Sequence, residues 1–415
     1  MNLFGSQLNE PGRDFLRAWQ PGGVVLIGEN NGTPEAVTRL TNRYQQTVID
    51  EGGLPLFVVV DQEPGPISHL KEGFTQFPTP TLMTATDDPQ LAYTVGRAIG
   101  DELRAVGVNM NLSPIADLET NPKNPIILRR SFGSDPAIVS PMIGAFVEGI
   151  QAAGVLATAK HFPGHGDSGE DSHTGLPVID LSRERLERVE LAPFRAAIQA
   201  DVAAIMIAHI WYPALEPEVN LPASLSPNVI TGLLREEMSY QGLIITDALD
   251  MDAIDTAYGY PDAVVQAIQA GVDLVISAHI GLESQAQAIQ AVVNAVRNGT
   301  IAEARINESV ARILAAKAKY GILDWQPLDP INASANIDLE GHAVLIDDLF
   351  REGVTVAVDR NALIPLDTDK SVGIIYLNNR YQIVQECGQY RGDIRWAGVS
   401  DAPREAEITA AVVTA

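Results

Sequence analysis

"GVLATAKHFPGHGDSGEDSH", residues 154–173, changes character part-way along. The first six residues form a short apolar run of the kind found in buried strands. The remainder, rich in Gly, Ser and Asp and carrying His161, His165 and His173, cannot be a helix interior. The stretch therefore predicts a loop hung from the end of a strand, where catalytic groups usually sit.

The same pattern recurs on both sides. "GGVVLIG", "LPLFVVVD", "VGVNMNLSPIAD", "VAAIMIAH", "GLIITDALDM" and "GVDLVIS" are further apolar runs. Amphipathic segments such as "PEAVTRLTNRYQQTVID" and "DPAIVSPMIGAFVEGIQAAG" separate them, with apolar residues at helical spacing and Asp, Ser or Pro near the start. Strand alternating with helix predicts a parallel sheet. Seven such strands, with "NLF" at residues 2–4 as the remnant of an eighth, predict a TIM-like (β/α)8 barrel, the doubly wound open sheet being the alternative. Asp61, Asp117, Lys160, His161, His209, Asp247 and Ser277 then fall at or just past strand C-termini, on the face that holds the active site in a barrel.

On this reading the catalytic barrel spans residues 1–325 and a Pro-, Asp- and Asn-rich linker spans 326–338. Residues 339–415 begin a second α/β domain that stops short of completion, a short or truncated C-terminal segment. The formal charge of −25 disfavours nucleic acid and anionic membrane surfaces and favours a neutral or cationic small substrate. Cys387 is the lone cysteine, which excludes an internal disulfide and a cysteine-based zinc site. No apolar run reaches the roughly 18 residues a membrane span needs. The start, "MNLFGSQLNEPGRDF", shows no signal peptide, so a cytoplasmic location is the expectation.

Chemistry is carried by few residues, each with two readings. Asp247, ending "GLIIT", is placed as a nucleophile or general base, or as the cap of the following helix. Asp171 and His173, two apart, suit an acid/base pair in which the carboxylate fixes the imidazole. His161, His165, Asp167, Asp171 and His173 equally suit a metal site or a hydrogen-bonded loop. Lys160 and Arg130 are ligand donors or salt-bridge partners in the barrel mouth. Trp211 and Tyr212 stack on a sugar ring or simply pack.

Taken together, "VDQE", "NLSPIADLETNPKNP", "RRSFGSDP", "AKHFPGHGDSGEDSH", "IMIAHIWYPALEPEVNLPASLS" and "GLLREEMSYQGLIITDALDM" resemble the β-N-acetylglucosaminidases of glycoside hydrolase family 3. The resemblance implies a barrel that removes terminal β-linked N-acetylglucosamine (GlcNAc) from amino-sugar oligosaccharides, muropeptide fragments or chitooligosaccharides, with retention and without a cofactor or metal. It makes Asp247 the nucleophile and His173 the acid/base with Asp171 as its partner. Asp61, Arg130, Lys160 and His161 would contact sugar hydroxyls, with His165 and Asp117 behind them, and Met251 would lie near the N-acetyl group. Gly164, Gly166 and Gly169 would free the loop to close His173 over the sugar.

The sequence departs from the family at "DQEPGPISHL", where Pro64 and Pro66 replace Gly and Arg and His69 stands where an arginine would help hold the sugar. Ala248 replaces an acidic neighbour of the nucleophile. Both ends look incomplete against the family pattern. The rivals are a metal-dependent hydrolase on the same barrel, a GlcNAc-binding protein without turnover, and a phosphorylase.

Overall fold

The computed structural model describes residues 1–170, 175–354, 373–377 and 395–399. The chain divides into two compact units, Met1–Val354 and Thr355–Ala415. In the first, seven strands form one parallel sheet in sequence order: β1 (Gly23–Leu26), β2 (Phe57–Val60), β3 (Met110–Asn111), β4 (Leu156–Phe162), β5 (Ala204–Ile207), β6 (Leu243–Ala248) and β7 (Leu274–Ile276). With helices between them they make a nearly closed barrel of the TIM type. In the second unit β8 (Gly373–Leu377) pairs in parallel with β9 (Arg395–Val399).

Why these segments adopt these elements is written locally. Helices Pro34–Asp50, Pro89–Ala105 and Pro136–Ala152 each begin with proline behind a Thr33, Asp88 or Asp135 cap, whose side chain accepts a first-turn backbone N–H. In the strands, alternate residues divide between two cores. Phe57 and Val59 of β2 and Leu243 and Ile245 of β6 fill the barrel interior, while Val58, Val60 and Ile244 pack outward against the helices.

The expected eighth strand is reduced to one bridge. Asn2 pairs with Val25 of β1, and its side chain donates to Ala278 O just past β7 at 2.8 Å, so these residues span the gap between first and last strands. Gly5, with φ of 107°, then turns the chain away before a second residue pairs. Helix Leu339–Gly353, read from sequence as opening the second domain, lies in the first unit and packs on helices Pro80–Ala85 and Pro89–Ala105.

Candidate active site

Strand parity carries Asp247 to the cavity. Leu243 and Ile245 face the barrel interior, so Asp247 points the same way at the C-terminal end of β6. Its Oδ1 accepts the Ala248 N–H at 2.8 Å. The next helix, Asp252–Tyr258, starts behind Met251 without a side-chain cap, so Asp247 does not serve as one. Burial pushes its carboxyl up, but His161, His209, the Ala248 N–H and Lys160 outweigh that and hold it at about 2. His209, fully buried, ties this corner down: Nε2–H donates to Ala248 O at 3.0 Å and Nδ1 accepts from Ser224 Oγ at 2.8 Å.

Beside Asp247 lies a charged lattice. Arg130 forks onto Glu63 with bonds of 3.0 and 2.8 Å, Lys160 Nζ lies 2.8 Å from Glu63 Oε1, and Lys160 also pairs with Asp61. Glu63 is buried, which alone would raise its carboxyl, yet Lys160 and Arg130 hold it at about 2. Lys160 is raised despite burial, because Asp61 and Glu63 flank it. The array thus holds two cations and two anions in fixed places, with Asp61 and Arg130 bordering open space. The donor and salt-bridge readings of Lys160 and Arg130 describe the same atoms.

A register shift between Ala159 and Phe162 lets adjacent Lys160 and His161 both border the cavity. Asp117, with no exposure, accepts the His161 N–H at 3.0 Å, the His165 N–H at 2.6 Å and His161 Nδ1–H at 2.7 Å. Burial opposes ionisation there, but His161 and His165 keep the carboxyl below its ordinary value. A carboxylate on Nδ1 fixes that nitrogen as the donor, so Nε2 is the ring atom left for chemistry.

The first half of the loop is packed rather than free. Asn124 Nδ2 donates to the carbonyls of His165 and Gly166 at 2.9 and 3.1 Å, and Tyr212 donates its hydroxyl to Gly164 O at 2.8 Å. Gly164 has φ of 128°, and a β-carbon on Gly166 would collide with Leu118 O. These two glycines therefore serve a turn and a close approach, while Gly169 has room around it. Asp171 and His173 lie outside the described residues.

Asp61, His69, Arg130, Lys160, His161, His165, Asp247 and Met251 all line one cavity of about 420 Å³ at this face, within the roughly 300–1,000 Å³ of small-molecule sites. His165 is on the wall, not behind it; Asp117 stays behind. Ile27, Ile67 and Ile126 supply an apolar side. Tyr212 is buried and Trp211 Nε1 donates to Glu216 O at 3.0 Å, so both pack. Ser277 bonds Tyr260. Among the described residues, no three or more His, Cys, Asp or Glu side chains are grouped to hold a metal ion. Glu63 is the residue the sequence reading passed over. Its signal was its position two residues after Asp61, which repeats the inward parity of β2.

Residues 2–316 match the N-terminal domain of glycosyl hydrolase family 3. Beta-hexosaminidase A of Pseudoalteromonas piscicida is 36% identical over 395 residues; the alignment covers 90% of this chain, which spans 64% of that protein's length. A beta-hexosaminidase of Stenotrophomonas maltophilia (strain R551-3) is 33% identical over 292 residues, 69% of this chain and 84% of its own. The solved structure of a family 3 β-N-acetylglucosaminidase from Paenibacillus sp. str. FPU-7 superimposes with a TM-score of 0.88 at 36% identity, covering 99% of this chain and 79% of that one.

Proposed function

Because this chain belongs to glycosyl hydrolase family 3, we propose that it is a retaining exo-β-N-acetylglucosaminidase acting on amino-sugar oligosaccharides, muropeptide fragments or chitooligosaccharides. The observation that carries the reading is Asp247: an ionised carboxylate at a strand end, aimed into a cavity whose other wall is a fixed array of hydroxyl-binding charges. With Oδ1 engaged by the Ala248 N–H, Oδ2 is the oxygen that attacks the anomeric carbon. As that bond forms, the glycosidic C–O bond breaks and His173, oriented by Asp171, gives its proton to the leaving oxygen. His173 then takes a proton from water, which attacks the same carbon and releases Asp247. Two inversions give retention.

The lattice supports recognition of a neutral ring. Asp61 and the rims of Lys160 and Arg130 face hydroxyls, His69 stands on the same side, and Met251 with Ile67 and Ile126 offers apolar surface for an N-acetyl group. The substrate is a small saccharide rather than a polyanion, in keeping with the net charge of −25. No described helix is long and apolar enough to cross a membrane.

The test is hydrolysis of 4-nitrophenyl β-GlcNAc followed by proton NMR during the first turnovers. The expected first product is β-GlcNAc, with Asp247→Asn slower by at least about a thousandfold. α-GlcNAc appearing first, or no hydrolysis by folded wild type, overturns the reading.

A further inference from the structure

The pocket residues Ile67 and His69 sit, with Glu63 of the charged lattice, on one limb of a loop that runs from β2 to helix Pro80–Ala85. That limb is braced internally. Glu63 N–H donates to Ile67 O at 2.9 Å, and the Gln62 side chain clamps Leu70 through both its amide atoms at 3.0 and 2.9 Å. The returning limb runs beside it, with Gly65 N–H donating to Phe77 O at 3.0 Å.

The returning limb is fastened from outside at Thr75. Its N–H and hydroxyl both donate to Glu102, at 3.1 Å for the N–H to Oε2 and 2.5 Å for the hydroxyl to Oε1. His342 of helix Leu339–Gly353 closes the cluster, its Nδ1 2.8 Å from Glu102 Oε1 and 2.9 Å from Thr75 Oγ1. Since the Thr75 proton goes to Glu102, Nδ1–H is the donor to both oxygens. Glu102 is 3% exposed and Thr75 8%, and the His342 ring lies 5.8 Å from that of Phe77. A buried carboxylate with this many donors costs stability when one is removed. The helix is seated independently, with Leu349 fully buried and Gly353 against Leu82.

We propose that helix Leu339–Gly353 is a clasp for the pocket: His342, acting through Glu102 and Thr75, holds the Gln62–Thr79 loop where Ile67 and His69 line the cavity and Glu63 meets Lys160 and Arg130 behind it. The clasp lies beyond residue 316, where the match to the family's N-terminal domain ends, so this chain positions part of its pocket with an element outside that domain. His342 is a positioning residue. Its kinetic consequence rests on the glycosidase reading; its structural consequence does not.

The test compares His342→Ala, His342→Asn and wild type in the full chain by hydrogen exchange and by kinetics on 4-nitrophenyl β-GlcNAc. In His342→Ala, amides of residues 63–77 are expected to exchange about tenfold faster. KM should rise about fivefold with kcat within about twofold, the pattern of lost uniform binding. His342→Asn, whose amide N–H replaces Nδ1–H, should restore both. Should His342→Ala not fold, Thr75→Val carries the same expectation. Faster exchange confined to residues 339–353, or an unchanged KM in an active and folded His342→Ala, overturns the clasp. Wild type without hydrolysis defeats the glycosidase reading and leaves the exchange comparison to decide the clasp.

Discussion

The two ends of this barrel each bury an ion cluster, and they use it differently. At the N-terminal face Asp273, just before β7 and with no exposure of its side chain, is ringed by Arg235, Arg312 and Arg305 at 2.5, 3.1 and 3.5 Å. Ser309 and the Ile244 N–H, at 2.6 and 3.1 Å, complete its coordination. It joins β6 and β7 to helix Glu303–Lys319 and to the helical turns of Asn228–Glu237, and it encloses no cavity lining. At the C-terminal face Lys160, Glu63, Arg130 and Asp61 form a lattice of equal and opposite charges that opens to the cavity through Asp61 and Arg130, whose side chains are 22% and 13% exposed. The difference teaches where to look for chemistry: a buried ion cluster is a staple when every oxygen is enclosed and a binding surface when one edge is left to a cavity.

Cutting each cluster should therefore produce different losses. Asp273→Ala leaves three arginines facing one another and should cost about 3–5 kcal/mol of stability, read as a shift in the urea midpoint, with kcat/KM of the surviving folded protein unchanged. A mild stability effect with a large catalytic one would break the contrast. Glu63→Gln keeps the shape but removes the charge between Lys160 and Arg130. It should lower kcat/KM about 10–100-fold while the urea midpoint moves much less than for Asp273→Ala.

A smaller effect, at the C-terminal face, depends on pH. Burial, with His161 nearby, pulls His165 down to about 4, and burial lowers His209. Each stays neutral when folded while the unfolded chain takes up a proton near the ordinary 6.5. Their contribution is therefore complete above that value and is lost as pH falls, for His165 down to about 4. Glu190, raised to about 7 by burial, works in the opposite sense, gaining stability over the same range. The carboxyls of Asp247 and Glu63, held at about 2, add their own loss only in stronger acid, below their ordinary values. Comparing His165→Asn with wild type isolates the histidine. The wild type should lose on the order of 1–2 kcal/mol relative to the variant between pH 7 and 5. Parallel urea-midpoint profiles would remove His165 from the account.

Much of this architecture was legible in the sequence because it is periodic. The apolar runs gave the strands, Asp, Ser or Pro before the amphipathic segments gave the helix starts, and position at the strand C-termini put Asp61 and Asp247 on the face that holds the cavity. What was not legible depends on pairs distant along the chain. Nothing local marks Asn124 as the residue that holds the carbonyls of the His165 loop, and so the described part of that loop is tighter than its glycines suggest. His342 meets Thr75 across 267 residues. Glu63 was hidden differently, inside a quoted motif whose first carboxylate drew the attention. "NLF" carried the composition of a strand, but Gly5 limits it to a bridge.

The central claim, that Asp247 is a covalent nucleophile, is tested most directly by trapping. The protein is incubated with a fluorinated GlcNAc donor that glycosylates quickly and hydrolyses slowly, and its intact mass is measured before peptide mapping. The account predicts a gain of one glycosyl unit carried by the peptide containing Asp247. An adduct on another residue, or none on folded protein shown to bind the sugar, would contradict it.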